Sequence, residues 1–316
     1  MRLLITRPMP KAVVERANAA FDAEVRGVNT PLDKDEKRRA LADFDVVIPT
    51  LGDVFDADFF ADVANPRCRL LANFGVGFNH IDVDAASAAG IQVSNTPGAV
   101  TDATADIGMT LILMSARRAG EGERLLRAGD WHGWHPTQLL GLHISGKTVG
   151  ILGMGRIGQA VARRCHFGFG MKVRYLSRSP KTLTFPAELA DNLTDLAASV
   201  DILVVCVPAG PETHHLIDAN VLAAMRPSAH LINIARGDIV DEAALIGALE
   251  TGEIAGAGLD VYEFEPYVPA ALRAMPQVTL LPHLGTNALE VRTAMGHMAL
   301  DNVAAFEAGQ DLPNPV

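Results

Sequence analysis

The run Gly153-Met154-Gly155-Arg156-Ile157-Gly158 follows an apolar stretch, Thr148–Leu152, and opens a helix-compatible one, Gln159–Phe167. Between a strand and a helix, each of these glycines has a physical duty. Gly153 makes the tight turn, Gly155 removes a side chain so that backbone can approach a pyrophosphate, and Gly158 lets helix and strand pack closely. The helix start adds free N–H groups and the positive end of its dipole, so Arg156 and Ile157 join the glycines as candidate ligands of a dinucleotide. The bland alternative is a glycine-rich turn with no ligand. The tip of the next strand selects the dinucleotide. A carboxylate there would accept hydrogen bonds from a ribose 2′-OH. Here Met171–Leu176 runs into Ser177-Arg178-Ser179, and no acidic residue lies between Lys172 and Ala187. A guanidinium and two hydroxyls suit a 2′-phosphate, so these residues predict NADP(H) over NAD(H), unless Arg178 is an ordinary surface arginine.

Three more chemically capable residues each follow an apolar run: Arg236 after His230–Ile234, Glu265 after Gly258–Val261, and His283 after Val278–Leu281. In an open parallel sheet, ligands bind beyond the carboxyl ends of the strands, which draws the three toward the glycine turn. A histidine titrates in the range that a proton donor needs. A neighbouring carboxylate favours the imidazolium and fixes the ring, a part open to Glu265 or to Glu263. An arginine can clamp a substrate carboxylate and polarise a carbonyl. The plainer readings are a hydrogen-bonded structural histidine and a surface ion pair. The other histidines, the pair His214-His215 included, have no such company and read as structural or surface, and no metal site is expected.

Together with Asn73-Phe74-Gly75-Val76-Gly77-Phe78-Asn79-His80-Ile81-Asp82 and Asn95-Thr96-Pro97-Gly98, these motifs occur in an order that resembles the D-isomer-specific 2-hydroxyacid dehydrogenase family over nearly the whole chain. The spacing from Arg236 to Glu265 matches the family pattern and favours Glu265 over Glu263. Within the family, the Ser177-Arg178-Ser179 tip and the segment Trp131-His132-Gly133-Trp134-His135-Pro136 look most like the NADPH-dependent glyoxylate/hydroxypyruvate reductases. The resemblance implies reduction of a small 2-keto acid to the D-2-hydroxy acid. It makes His283 the proton donor, Glu265 its orienter and Arg236 the substrate clamp. It also implies that N–H groups at Val76 and Gly77 hold the substrate carboxylate from the other domain. Trp134 would reach a partner subunit's substrate site and narrow it, with simple packing of Trp131 or Trp134 at a dimer interface as the alternative. Cofactor contacts are implied at Thr104, Cys206, Pro208, Thr213, Ile234, Asp260 and Gly285, with Asp260 bonding the nicotinamide amide. Two rival readings are reduction of another keto acid, such as 2-ketogluconate, and a non-catalytic dinucleotide-sensing, corepressor-like protein. A pure sensor would have no need of the acid–base pair.

The elements that position these residues can be read from the apolar runs. Leu3–Ile5, Val46–Ile48, Leu70–Ala72, Ile91–Val93, Val173–Leu176 and Ile202–Val207 join those already named, and helix-length segments separate them. Several runs are apolar at consecutive positions, as in strands buried on both faces. The expected fold class is therefore α/β, with two doubly wound parallel-sheet domains. Residues 1–98 and 287–316 would form a flavodoxin-like substrate domain, and 99–286 the NADP(H)-binding Rossmann domain. Asp102–Arg118 is apolar almost all round, which predicts a helix buried between domains or subunits. With the tryptophan segment, it points to a homodimer. Asn287–Gly309 reads as a closing helix.

Composition limits the alternatives. The 316 residues are 49% hydrophobic and carry a net charge of −10, which excludes disorder and disfavours nucleic acid and anionic membrane surfaces as partners. Cys68, Cys165 and Cys206 are too few and too scattered for a disulfide framework. With no signal-like start at Met1–Pro8 and no apolar stretch approaching ~20 residues, the expected location is the cytoplasm.

Overall fold

A strand covered by helices on both faces can place an apolar side chain at every position, and the apolar runs form parallel strands of this kind. The computed structural model describes residues 1–316. They divide into a first unit, Met1–Val100 with Thr286–Val316, and a second, Thr101–Gly285.

The first unit runs β1 (Arg2–Ile5), α1 (Lys11–Ala20), β2 (Asp22–Val25), α2 (Lys34–Asp43), β3 (Val46–Ile48), α3 (Ala57–Ala61), β4 (Leu70–Ala72), α4 (Val83–Ala88) and β5 (Gln92–Ser94). Its sheet has the order β2-β1-β3-β4-β5 with every pair parallel. This is the flavodoxin-like winding, in which the first strand lies inside the sheet. Leu41, Val47, Phe55, Phe59, Phe60 and Leu71 fill one side of it.

The second unit runs α5 (Thr101–Ala116), α6 (Ala119–Ala128), β6 (Thr148–Leu152), α7 (Arg156–Phe169), β7 (Lys172–Leu176), β8 (Glu188–Leu189), α8 (Leu193–Ser199), β9 (Ile202–Val205), α9 (Ala219–Ala224), β10 (His230–Asn233), α10 (Glu242–Thr251), β11 (Gly256–Leu259), α11 (Ala270–Ala274) and β12 (Val278–Leu280). Its sheet order is β12-β11-β10-β9-β6-β7-β8, all parallel. The winding reverses beside β6, and the glycine turn leaves the carboxyl end of that strand. A last helix, α12 (Leu289–Glu307), returns to the first unit. There Gly296 packs so closely on α1 that a Cβ would lie 2.5 Å from Val13 Cγ2.

Helix α5 draws much of its burial from its own unit. Its buried residues include Ala105, Gly108, Met109, Leu111, Ile112 and Ala116, while Leu113 is 36% exposed. They pack on the second unit's own sheet and on α7: Gly258 of β11 lets Leu111 approach, and Gly108 lets Ile234 and Val161 approach. Its own unit therefore accounts for much of the helix's apolar character. No helix is long and apolar enough to cross a membrane.

Candidate active site

The fold itself demands two of the three glycines. Gly153 has φ +96°, and a Cβ there would sit 2.8 Å from the backbone of Cys206 and Val207. A Cβ on Gly158 would sit 2.1 Å from the Gly153 carbonyl oxygen. Gly155 is different. It precedes α7, and a Cβ there would meet nothing within 4 Å. The start of α7 has no side-chain cap and no acid in its first turn. Bare backbone facing open space beside uncapped N–H groups at Arg156 and Ile157 fits a pyrophosphate. The Cys206 N–H bonds Leu152 O at 2.8 Å, which lays Cys206–Pro208 along the turn. Thr213 Oγ1 then donates to Pro208 O at 2.9 Å and folds that loop back. Beyond β7, Ser177 Oγ donates to Ser179 O at 2.6 Å and Lys181 Nζ donates to Ser179 Oγ at 3.1 Å. Arg178 is exposed and unpaired within the chain.

Strands β10, β11 and β12 are neighbours, so the loops carrying Arg236, Glu265 and His283 leave one edge of the sheet side by side. His283 Nδ1 lies 2.9 Å from Glu265 Oε2. Glu265 Oε1 accepts the Tyr262 N–H at 3.1 Å, and the Tyr262 hydroxyl donates to Leu281 O at 2.9 Å, tying the two loops together. Burial pushes the Glu265 carboxyl up, but the hydrogen bond and charge of His283, the Tyr262 N–H and the Arg236 charge outweigh it and hold the carboxyl below its usual range. Glu263, the other acid considered, faces His215 instead, with Oε1 2.9 Å from Nε2.

Asn233 shapes the Arg236 turn: its Nδ2 donates to Arg236 O at 2.8 Å and its Oδ1 accepts the Ala235 N–H at 3.0 Å. Burial pulls the Arg236 guanidinium below its ordinary value, against the charges of Glu265 and Asp238. The next residue, Gly237, is pressed against the neighbouring loop, where a Cβ would fall 1.8 Å from the Tyr262 carbonyl carbon. The Arg236 and Glu265 loops thus touch backbone to backbone.

Asp260 is 1% exposed. Its Oδ1 accepts the Leu284 N–H at 2.6 Å, its Oδ2 accepts the Gly285 N–H at 2.8 Å, and its carbonyl accepts the His283 N–H at 2.9 Å. These bonds hold His283 at φ +54°. Asp260, expected at the nicotinamide amide, therefore spends a hydrogen bond from each carboxylate oxygen on the His283 loop. Thr104, also buried, donates from Oγ1 to Gly285 O at 3.1 Å, and Ile234 is buried just past β10.

In the first unit, Asn73 Nδ2 donates to Gly75 O at 3.1 Å and to Gly77 O at 3.0 Å. Asn95 Nδ2 donates to Val76 O at 2.9 Å, and His80 Nε2 lies 3.1 Å from Asn73 Oδ1. Three consecutive carbonyls are thereby turned onto asparagine side chains, while the N–H groups of Val76 and Gly77 bond no backbone acceptor. Successive unbonded N–H groups form a concavity suited to an anion. On the segment after α6, Trp134 is 79% exposed and Trp131 49%, with Trp131 Nε1 donating to Gln138 Oε1 at 3.3 Å. The sequence reading missed Asn73, Asn95, Gly237 and the His215–Glu263 pair. Only the glycine carried a local signal, as a small residue directly after a candidate catalytic arginine.

A dinucleotide turn at the reversal point of the sheet, with a histidine–carboxylate pair and an arginine on adjacent loops, defines an oxidoreductase that acts on an anionic carbonyl or alcohol substrate. Residues 109–285 match the family model "D-isomer specific 2-hydroxyacid dehydrogenase, NAD binding domain", and the chain belongs to that family. It is 41% identical to a glyoxylate reductase of Thermococcus kodakarensis, over 100% of this chain and 96% of that protein. It is 36% identical to a glycerate dehydrogenase of Hyphomicrobium methylovorum, over 98% and 97% of the two chains. An NADPH-dependent glyoxylate/hydroxypyruvate reductase of Sinorhizobium meliloti, solved with NADP and malonate, superposes with a TM-score of 0.88 at 36% identity, covering 100% of this chain and 96% of that one.

Proposed function

We propose that the chain reduces glyoxylate to glycolate, or hydroxypyruvate to the D-2-hydroxy acid, with NADPH. The observation that carries the chemistry is the 2.9 Å contact between His283 Nδ1 and Glu265 Oε2. With Nδ1 engaged, Nε2 is the atom left to give a proton. The nicotinamide coenzyme, when bound, supplies a hydride to the carbonyl carbon. As charge develops on the carbonyl oxygen, His283 Nε2–H protonates it, while the Glu265 carboxylate steadies the imidazolium and keeps the ring in place. The partly desolvated Arg236 guanidinium grips the substrate carboxylate and polarises the carbonyl. In this reading the N–H groups of Val76 and Gly77 bind a substrate carboxylate.

The coenzyme's pyrophosphate is assigned to the backbone of Gly153, Gly155, Arg156, Ile157 and Gly158, and its 2′-phosphate to Ser177, Arg178 and Ser179. Thr104, Cys206, Pro208, Thr213, Ile234, Asp260 and Gly285 line its remaining length in this reading. The missing acid after β7 and the exposed Arg178 support NADPH, as does the S. meliloti reductase solved with NADP. The glycerate dehydrogenase relative supports hydroxypyruvate, since reduction of that keto acid at C2 gives glycerate. Exposed Leu126, Trp131, Trp134 and Leu140 support a homodimer in which Trp134 narrows the partner's substrate site. Three unpaired cysteines support a reducing, cytoplasmic setting.

The test is kcat/KM for glyoxylate, hydroxypyruvate and 2-ketogluconate with each coenzyme. A preference for NADPH of about tenfold or more is expected, lost in Arg178→Ala, in line with one charge-assisted phosphate contact. Equal or better use of NADH would overturn the coenzyme assignment. Failure to reduce any of the three acids would overturn the substrate class.

A further inference from the structure

The loop after β11 carries two glutamates, and each meets a histidine from a different element. Glu265 meets His283, and Glu263 meets His215 at 2.9 Å. His215 lies on the loop between β9 and α9 at φ +48°, with its N–H on Asp238 O at 2.8 Å. Its ring stacks on His214 at 4.0 Å between centroids, and its Nδ1 is 3.9 Å from Asp241 Oδ2. The Glu263 N–H donates to Glu242 Oε1 at 3.0 Å. Glu242 is 7% exposed, and burial together with the nearby charges of Glu263 and Glu265 pushes its carboxyl up, against the pull of that N–H.

Three carboxylates therefore crowd the start of this loop, and the charges that offset them come from Arg236, His283 and His215. The glutamate bond, with help from Asp241 and Asp238 and against burial, holds the His215 imidazole above its ordinary value. The residue between Glu263's anchor and the Glu265 carboxylate is Tyr262, whose N–H holds Glu265 Oε1 and whose carbonyl is pressed on Gly237.

We infer that His215 and Glu263 form a positioning pair for the proton donor: they fix the Val261–Glu265 loop so that Glu265 meets His283 Nδ1. The pair touches neither substrate nor coenzyme in this assignment and acts through Glu265. The inference rests on the reductase reading for its kinetic consequence, but its structural half stands without it, and the experiment reads the two separately.

The variants are Glu263→Gln and His215→Asn, the second chosen because asparagine tolerates the positive φ at that position. Hydrogen exchange in the coenzyme-free protein reads the Tyr262 and Glu263 amides, the two donors that the pair keeps on Glu265 and Glu242. Exchange there should quicken about tenfold in both variants, while amides of β6 stay as in the parent and report an intact fold. With glyoxylate and NADPH, kcat should fall about tenfold with little change in either KM, because the proton donor is misplaced and binding is untouched. In a Glu265→Gln background, Glu263→Gln should add nothing to the loss of kcat. Unchanged exchange at Tyr262 and Glu263 would overturn the pairing. Faster exchange with parental kcat, or losses that add across the two glutamates, would overturn the positioning role. If the parent protein reduces no keto acid, the reductase reading fails while the exchange result still decides the pairing.

Discussion

Replacing Glu265 by glutamine removes one charge and leaves the side chain's shape and its bond from the Tyr262 N–H. Glu265 and His283 are 2.9 Å apart, and their side chains are 30% and 28% exposed. Unit charges about 4 Å apart attract by about 4 kcal/mol at an effective dielectric of 20. Desolvation of the two groups takes back part of that, which leaves roughly 1.5–3 kcal/mol, the range of a hydrogen bond between charged groups. At about 1.4 kcal/mol per decade, kcat for keto-acid reduction should fall between roughly tenfold and 150-fold. The sign with pH follows from the carboxyl itself. Glu265 titrates below its usual range, so in the parent it stays ionised down through mildly acid conditions and keeps a negative charge beside the ring. The variant lacks that charge at every pH, so its deficit should stay level from mildly acid to alkaline pH and shrink only in acid, where the parent's own carboxylate is neutralised. Steady-state kcat across about pH 5.5–9, with saturating NADPH and glyoxylate, measures this. Parental kcat anywhere in this range would refute the assignment of Glu265 as the charge that braces His283.

Gly237→Ala should cost about 3 kcal/mol of stability and most of the activity, because its Cβ has no room beside Tyr262; a parental denaturation midpoint would show that the two loops do not depend on this contact. Asn73→Ala should raise the KM for the keto acid about tenfold while kcat stays near parental, since it frees the Gly75 and Gly77 carbonyls that fix the amides proposed to take the substrate carboxylate. An unchanged KM would remove Val76 and Gly77 from the substrate site. Trp134→Ala should improve turnover of bulkier 2-keto acids by about tenfold relative to glyoxylate, and an unaltered substrate profile would leave this tryptophan a packing role only. His215 titrates above its ordinary value, so it stabilises the fold fully below pH ~6.5 and loses that contribution as pH rises through its raised value. His215→Asn should therefore lower the melting temperature more at pH 6 than at pH 9, and equal drops would contradict the ion pair.

The sheets were legible where their strands are buried on both faces. Val46–Ile48 and Val149–Leu152 announce themselves because no position carries a polar side chain. β2 and β8 do not, because edge strands are half-solvated: Asp22 and Glu24 are exposed, as are both residues of β8. The placement of the candidate residues at one edge of the second sheet was legible for a related reason. Arg236, Glu265 and His283 each stand at a short remove from a strong apolar run, so local sequence fixes their height on the sheet. What it could not fix is which acid meets which histidine. Glu263 and Glu265 are two positions apart, and their sorting between His215 and His283 depends on how three loops pack. Asn95 turns the Val76 carbonyl by a contact of the same distant kind, whereas Asn73 acts within its own turn, and neither has a periodicity to reveal it.

The left-handed backbone at His283 makes any exchange there two experiments at once. Most side chains resist that conformation, at a cost of about 1 kcal/mol or more, and β-branched ones resist it most. Valine or threonine would therefore strip away the acid and also pry Leu284 and Gly285 off the Asp260 carboxylate, loosening the whole loop. Asparagine sits comfortably at such angles and has no titratable ring, which makes His283→Asn the cleanest chemical knockout of this enzyme. Libraries built at this position should recover asparagine and glycine as soluble protein far more often than isoleucine or valine.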